Sequence, residues 1–151
     1  MYKRILVPLD GSKRAEMAFK HLRDISQRYE AEVTCLFVIQ QKFVTGVEGT
    51  FIQASGDNLE EAMQKARLYL DSVTSEMRSA GIKVKSHVVR GNVVDSIIFT
   101  AESIKADLVI MTSHGRSGIK RVFYGSVAAG VLNRIDRPLL IIRSRTAESA
   151  H

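Results

Sequence analysis

The sequence predicts an α/β domain in which an open parallel sheet carries helices on both faces. Three observations predict it. Short apolar runs alternate with amphipathic stretches along the whole chain, so that a strand, a helix and a strand follow one another repeatedly. Most of these runs are continuous rather than alternating, as strands buried on both faces must be. The 151 residues, 45% hydrophobic and 25% charged, are one ordinary globular domain's worth, and no internal repeat or linker divides them.

Each element has its own local justification. Ile5-Leu6-Val7, bounded by Pro8 and Asp10-Gly11, reads as the first buried strand. From Ser12, placed to cap, Ala15, Ala18, Phe19, Leu22 and Ile25 keep helical spacing. Val33 to Ile39 is continuous and rich in β-branched residues, a second strand buried on both faces. Gln40 to Gly56 holds three glycines and no steady period, the mark of a long loop that is functional or mobile. After Asp57-Asn58, which can cap, Leu59, Ala62, Met63, Ala66, Leu70, Val73 and Met77 form a long helical stripe ending at Gly81. Ile82 to Val89 is a third strand, placed near a sheet edge because Lys83, Lys85 and His87 share one face. Gly91-Asn92 opens a shorter helix over Val94, Ile97, Ile98 and Ala101. Leu108 to Met111 is a fourth strand, Ser126 begins a last helix, and Leu139-Leu140-Ile141-Ile142 is the fifth strand. The domain is expected over residues 1–143, with 144–151 a frayed tail.

Right-handed crossovers clothe both faces of such a sheet only if the strand order reverses, and a ligand crevice forms beyond the strand C-termini at the reversal. Candidate ligand groups therefore follow the first and fourth strands: Pro8-Leu9-Asp10-Gly11-Ser12 and the segment from Thr112 to Ser126.

Composition and motifs remove several functions. No apolar run approaches the ~18 residues that span a bilayer, and the N-terminus lacks a signal peptide's apolar stretch, so a cytoplasmic protein without a membrane partner is expected. The single Cys35 excludes an internal disulfide and a multi-cysteine zinc site; its apolar neighbours suit a buried, inert thiol. The formal charge is +6, of which +5 falls between Met111 and His151. A basic region can serve nucleic acid, an anionic membrane or a phosphorylated ligand, or simply be a solvated surface. Nucleic acid is not expected, because the charges share no helix face and few aromatics are interleaved with them. There is no P-loop motif, no G-x-G-x-x-G after the first strand, no H-E-x-x-H and no G-x-S-x-G. Asp10 stands alone among the carboxylates at the predicted strand ends, which leaves metal-dependent phosphoacceptor chemistry without its carboxylate cluster.

What remains is the glycine-rich segment. Gly115 and Gly118 let a turn bring backbone N–H groups close to a ligand, and Gly125-Ser126 places amide donors and a hydroxyl at a helix start, an arrangement that accepts phosphate. Strand-to-helix connections need turn residues in any case, so the glycines alone do not decide the matter. In Gly115, nine residues, then Gly125-Ser126, the segment resembles the nucleotide motif of the universal stress protein family, G-x2-G-x9-G-[ST]. Lys3-Arg4-Ile5-Leu6-Val7-Pro8-Leu9-Asp10-Gly11-Ser12 is similar to that family's first strand and turn. Leu36 to Ile39, Gly91-Asn92, Asp107 to Met111 and Arg137 to Ile142 are similar to its later strands and turns. Thr112 departs from the pattern by replacing the motif's first glycine. A β-branched residue there is disfavoured if the position needs a positive φ and tolerable if it is still extended strand; its place directly after the apolar run favours the strand.

The resemblance implies a five-stranded sheet of order 3-2-1-4-5, Rossmann-like and of the adenine nucleotide alpha hydrolase-like type. It implies a stress-response protein that binds ATP as a regulatory ligand. Carried over by position, adenine and ribose fall near Pro8, Leu9, Asp10, Val38 and Met111, and the phosphates near His114, Gly115, Gly125, Ser126 and Val127. Asp10 can accept ribose hydroxyls or hold Mg2+ through water; a turn or helix-capping carboxylate is the alternative. Ser126 can be a plain N-cap, and His114 can simply pack its loop. No base–nucleophile pair is evident, so no catalytic residue is assigned and fast turnover is not expected. The alternatives are a slow ATPase or phosphotransferase and a nucleotide-free interaction module. Family members commonly dimerise through the last strand, so a homodimer through Leu139, Leu140, Ile141 and Ile142 is expected.

Overall fold

The apolar runs become strands and the amphipathic stretches helices in the computed structural model, which describes residues 1–40, 44–45, 51–52, 56–113 and 125–143. In chain order the elements are β1 (Arg4–Leu9), α1 (Lys13–Glu16), α2 (Ala18–Tyr29), β2 (Glu32–Ile39), β3 (Val44–Thr45), β4 (Phe51–Ile52), α3 (Gly56–Ser79), β5 (Lys83–Arg90), α4 (Val93–Ser103), β6 (Leu108–Thr112), α5 (Ser126–Arg134) and β7 (Leu139–Ile142). Five strands form one sheet in the order β5-β2-β1-β6-β7. Every neighbouring pair in it is parallel. Counted along the chain, this is the expected 3-2-1-4-5, with the reversal between β1 and β6.

Two cores flank the sheet. On one face Ile5, Val7, Val33, Cys35 and Ile110 meet Leu22 of α2 and Leu70, Val73 and Met77 of α3. On the other, Leu6, Leu36, Val109 and Met111 meet Ile97 and Ala101 of α4 and Ala128 and Val131 of α5. Consecutive residues of β1, Ile5 and Leu6, are both wholly buried yet serve opposite cores, which explains why the run is continuous. Each such side chain contributes roughly 1.5–3 kcal/mol of burial, so the central strands dominate the fold's stability. Cys35 is fully buried as expected; burial pushes its thiol up to about 12, opposed in part by the Arg78 charge, and the S–H donates to Met77 Sδ at 3.8 Å.

β5 is an edge strand, as its lysines suggested. Lys83, Lys85 and His87 are exposed, and Lys85 pairs with Glu32 at 2.9 Å. Gly81 takes φ +82° just past α3, the left-handed conformation for which glycine ends helices.

Three local details differ from the expectation. The first helix is divided at Met17, which keeps φ −60° and ψ −22° but separates α1 from α2. α3 starts at Gly56, ahead of the expected cap at Asp57-Asn58. In the stretch expected as a loop, β3 and β4 pair antiparallel through Val44↔Ile52 and Thr45↔Phe51. The remainder of that stretch, and the tail from Ser144, lie outside the described residues.

Candidate functional site

The strand reversal opens a crevice between β1 and β6. At their N-terminal ends the two strands are locked: Asp107 Oδ2 accepts the backbone N–H groups of Lys3 and Arg4, each at 2.7 Å. Registered pairing runs only through Ile5↔Leu108 and Leu6↔Val109, although β1 continues to Leu9 and β6 to Thr112. Pro8, with no N–H to give, stands where the ladder would have continued. β6 stays paired with β7 up to Thr112↔Ile142. The gap therefore lies on the β1 side.

The helix start is brought to this gap by one short connection. Gly125 N–H donates to Ser113 C=O at 2.6 Å, and Ser113 N–H donates to Ile142 C=O at 2.9 Å, so α5 begins directly beside the tip of β6. Gly125, in extended conformation, is the N-cap of α5. The expectation that Ser126 caps the helix is therefore corrected: Ser126 is the first residue inside it and is exposed. The Gly125 amide is also already engaged, so the donors this helix can offer an anion are those of its first turn, beginning at Ser126 and Val127. A glycine N-cap brings no side-chain oxygen to occupy them. With the positive end of the helix dipole behind them, they favour negative charge.

The crevice wall on the α4/α5 face is apolar. Val38 of β2 and Val127 of α5 pack with Met111 of β6, and Val89, Val93 and Val94 belong to the same cluster. Pro8 is half-buried and, by strand alternation, shares the face of Leu6. Leu9 points into the opposite core, so only its main chain can line the crevice. Asp10 is half-buried at the tip of β1, where its Oδ1 accepts Ser12 N–H at 2.9 Å across Gly11, whose φ of +83° makes the tight turn possible. His114 and Gly115 lie outside the described residues, as do Arg116, Lys120 and Arg121.

Thr112 is the last residue of β6, paired with Ile142, so the extended conformation expected for it is the one adopted. Ile142 packs with the α2/α3 core, and Thr112 in register beside it shares that face. Its Cβ is thereby directed away from the side on which Met111 lines the crevice. Ser113, wholly buried and joining β6, β7 and α5, went unnoticed in the sequence, because a serine between Thr112 and His114 carries no local signal.

The site can thus receive a flat apolar group against Val38 and Met111 and an anion at the α5 N-terminus, with the Asp10 carboxylate nearby. Among the described residues no three His, Cys, Asp or Glu side chains converge to hold a metal ion. Among them, too, no helix is long and apolar enough to cross a membrane.

Comparison with known proteins identifies the fold and the family. The sequence model of the universal stress protein family matches residues 1–143. Universal stress protein MJ0577 of Methanocaldococcus jannaschii is 29% identical, over 97% of this chain and 98% of its own length. The solved structure of MJ0577 superposes with a TM-score of 0.86, covering 97% of this chain and 99% of that one. Two more distant structures share the fold. A universal stress protein in complex with cAMP is 22% identical with a TM-score of 0.70, covering 94% of this chain and 97% of that one. One from Archaeoglobus fulgidus in complex with dAMP is 20% identical with a TM-score of 0.64, covering 93% of this chain and 97% of that one. With the family match extending over nearly the whole chain, this protein belongs to the universal stress protein family.

Proposed function

We propose that the protein binds an adenine nucleotide, ATP, as a regulatory ligand in the crevice between β1 and β6, without fast turnover, in the cytoplasm. One observation carries the reading: the Gly125 amide tied to the Ser113 carbonyl sets the first turn of α5 at the open end of the β1–β6 gap, beside an apolar wall. The adenine lies against Val38 and Met111, its edge meeting main-chain groups at Pro8 and Leu9. The phosphates sit on the amides of Ser126 and Val127 and on the segment that contains His114 and Gly115. Asp10 accepts a ribose hydroxyl. That relatives of the same fold are known in complex with cAMP and with dAMP supports the ligand class.

Mg2+ fits this site as a companion of the nucleotide rather than as a resident ion. It usually takes one or two carboxylates, with phosphates and water completing its shell, and Asp10 can supply one carboxylate through water. The edge of β7, where Leu139 to Ile142 are each half-buried, supports a homodimer formed through that strand.

Equilibrium dialysis of the desalted protein against ATP tests the reading. Saturable binding is expected, with loss in Gly115→Val, because a side chain there blocks close backbone approach. Thr112→Gly should leave affinity nearly unchanged, since the Thr112 side chain lies on the other face. No nucleotide retained at millimolar supply overturns the proposal.

A further inference from the structure

On the sheet face opposite the crevice, the Tyr69 hydroxyl is buried and has no hydrogen-bond partner among the described residues. Tyr69 belongs to α3, and its ring meets Phe37 of β2 edge to face, with centroids 5.9 Å apart and planes at 65°. Phe37 reaches the tip of β1 in turn: its Cε2 lies 3.6 Å from where a Cβ on Gly11 would stand. The Tyr69–Phe37 pair thus lies beside the Asp10-Gly11-Ser12 turn, next to the space that a side chain on Gly11 would take.

The hydroxyl is out of place in a purely structural role. A buried donor left unpaired costs about 1–3 kcal/mol, and phenylalanine would fill the same space without that cost. Burial first, then the charges of Glu16 and Asp10 and the neighbouring Cys35, push the phenol's pKa up, so it keeps its proton and remains a donor. Two of the charges that act on it are the Glu16 and Asp10 carboxylates. Asp10, half-buried at the tip of β1, accepts Ser12 N–H at its Oδ1.

We propose that Tyr69 is a positioning residue for Asp10: the Tyr69–Phe37 pair supports the Asp10–Ser12 turn from beneath, and the Tyr69 hydroxyl donates to the Asp10 carboxylate when a nucleotide occupies the crevice. This rests on the nucleotide reading above. With a second donor the carboxylate is held in one orientation toward the ribose, and the buried hydroxyl gains an acceptor.

The test compares wild type, Tyr69→Phe, Asp10→Asn and the double variant by equilibrium dialysis with ATP and by urea unfolding without it. Tyr69→Phe should weaken ATP binding about ten- to a hundredfold, the worth of one hydrogen bond to a charged group, while the ligand-free protein is at least as stable as wild type. In the Asp10→Asn background, whose neutral amide oxygen is a weaker acceptor than the carboxylate, the same change should cost markedly less affinity. Wild-type affinity in Tyr69→Phe overturns the inference, and so does an equal loss in both backgrounds. An independent readout is the 13Cζ resonance of labelled tyrosine, assigned by its absence in Tyr69→Phe: it should move on saturation with ATP, and a stationary resonance overturns the inference. Wild type that retains no ATP defeats the nucleotide site and this inference with it, whereas binding wild type with an unaffected Tyr69→Phe defeats this inference alone.

Discussion

Gly130, in the middle of α5, is where packing and ligand binding are most tightly connected. A Cβ built there would stand 2.8 Å from Val94 Cγ2 and 3.3 Å from Val94 Cγ1. Because both methyls of Val94 are too close, turning its χ1 exchanges one conflict for another, and in a helix that rotamer is nearly fixed. Relief in Gly130→Ala must come from separating α4 and α5. Such overpacking costs about 1–3 kcal/mol, while replacing a mid-helix glycine by alanine returns about 1 kcal/mol. The expected net loss is about 1 kcal/mol, or about 2–4 °C in Tm for a chain of this size. α5 also carries Ser126 and Val127, so moving it away from α4 shifts the amides proposed to hold phosphate, and ATP affinity should fall with stability. Val94→Ala removes both offending methyls, so the double variant should be more stable than the sum of the single changes allows. Urea unfolding followed by circular dichroism, with dialysis against ATP, measures both effects. A Gly130→Ala protein as stable as wild type and with unchanged affinity would refute the reasoning.

Other substitutions probe the frame around the site. Asp107→Ala should lower stability by about 1–2 kcal/mol by removing the acceptor of two backbone N–H groups, and Asp107→Asn by less, read from urea midpoints. Glu30 ends α2 with φ +51°, a conformation costly for any residue with a Cβ; Glu30→Gly should stabilise by about 0.5–1 kcal/mol, and Glu30→Ala should not. Cys35, with its thiol raised from 9.0 to about 12, stays protonated in the fold. A disulfide reagent at pH 8 should therefore modify it only as fast as the chain unfolds. The sign of its pH dependence follows from the same shift. Above pH 9 the unfolded chain loses the thiol proton while the fold retains it, so stability declines between pH 9 and about 12, and Cys35→Ala should reduce that decline.

The architecture was legible because burial on both faces leaves an unmistakable trace. Ile5-Leu6-Val7 and the run from Val33 to Ile39 have no polar alternation, and the residues of β1 serve two different cores. The lysines of β5 declared an edge, and Gly81 a helix end. The strand reversal was legible, and it is why the candidate site was sought at the tips of the first and fourth strands. Details set by hydrogen-bond choice were not. Nothing local shows that Gly125 rather than Ser126 caps α5, because that depends on the distant Ser113 carbonyl taking the Gly125 amide. The early end of β1–β6 pairing is equally hidden, since Pro8 reads as a boundary residue whether the strands part or stay together. The break at Met17 has no sequence signal that we recognise, and its backbone remains helical. Tyr69 sits at a position one residue from the buried stripe, where its ring looks like ordinary core and only the structure shows a hydroxyl without a hydrogen-bond partner among the described residues.

The most direct test of the central claim is a crystal structure of the protein soaked with ATP and magnesium. The account predicts electron density for the base against Val38 and Met111, with phosphate oxygens at the amides of Ser126 and Val127. Density on the α2/α3 face of the sheet, or a crevice that stays empty at saturating ATP, would contradict it.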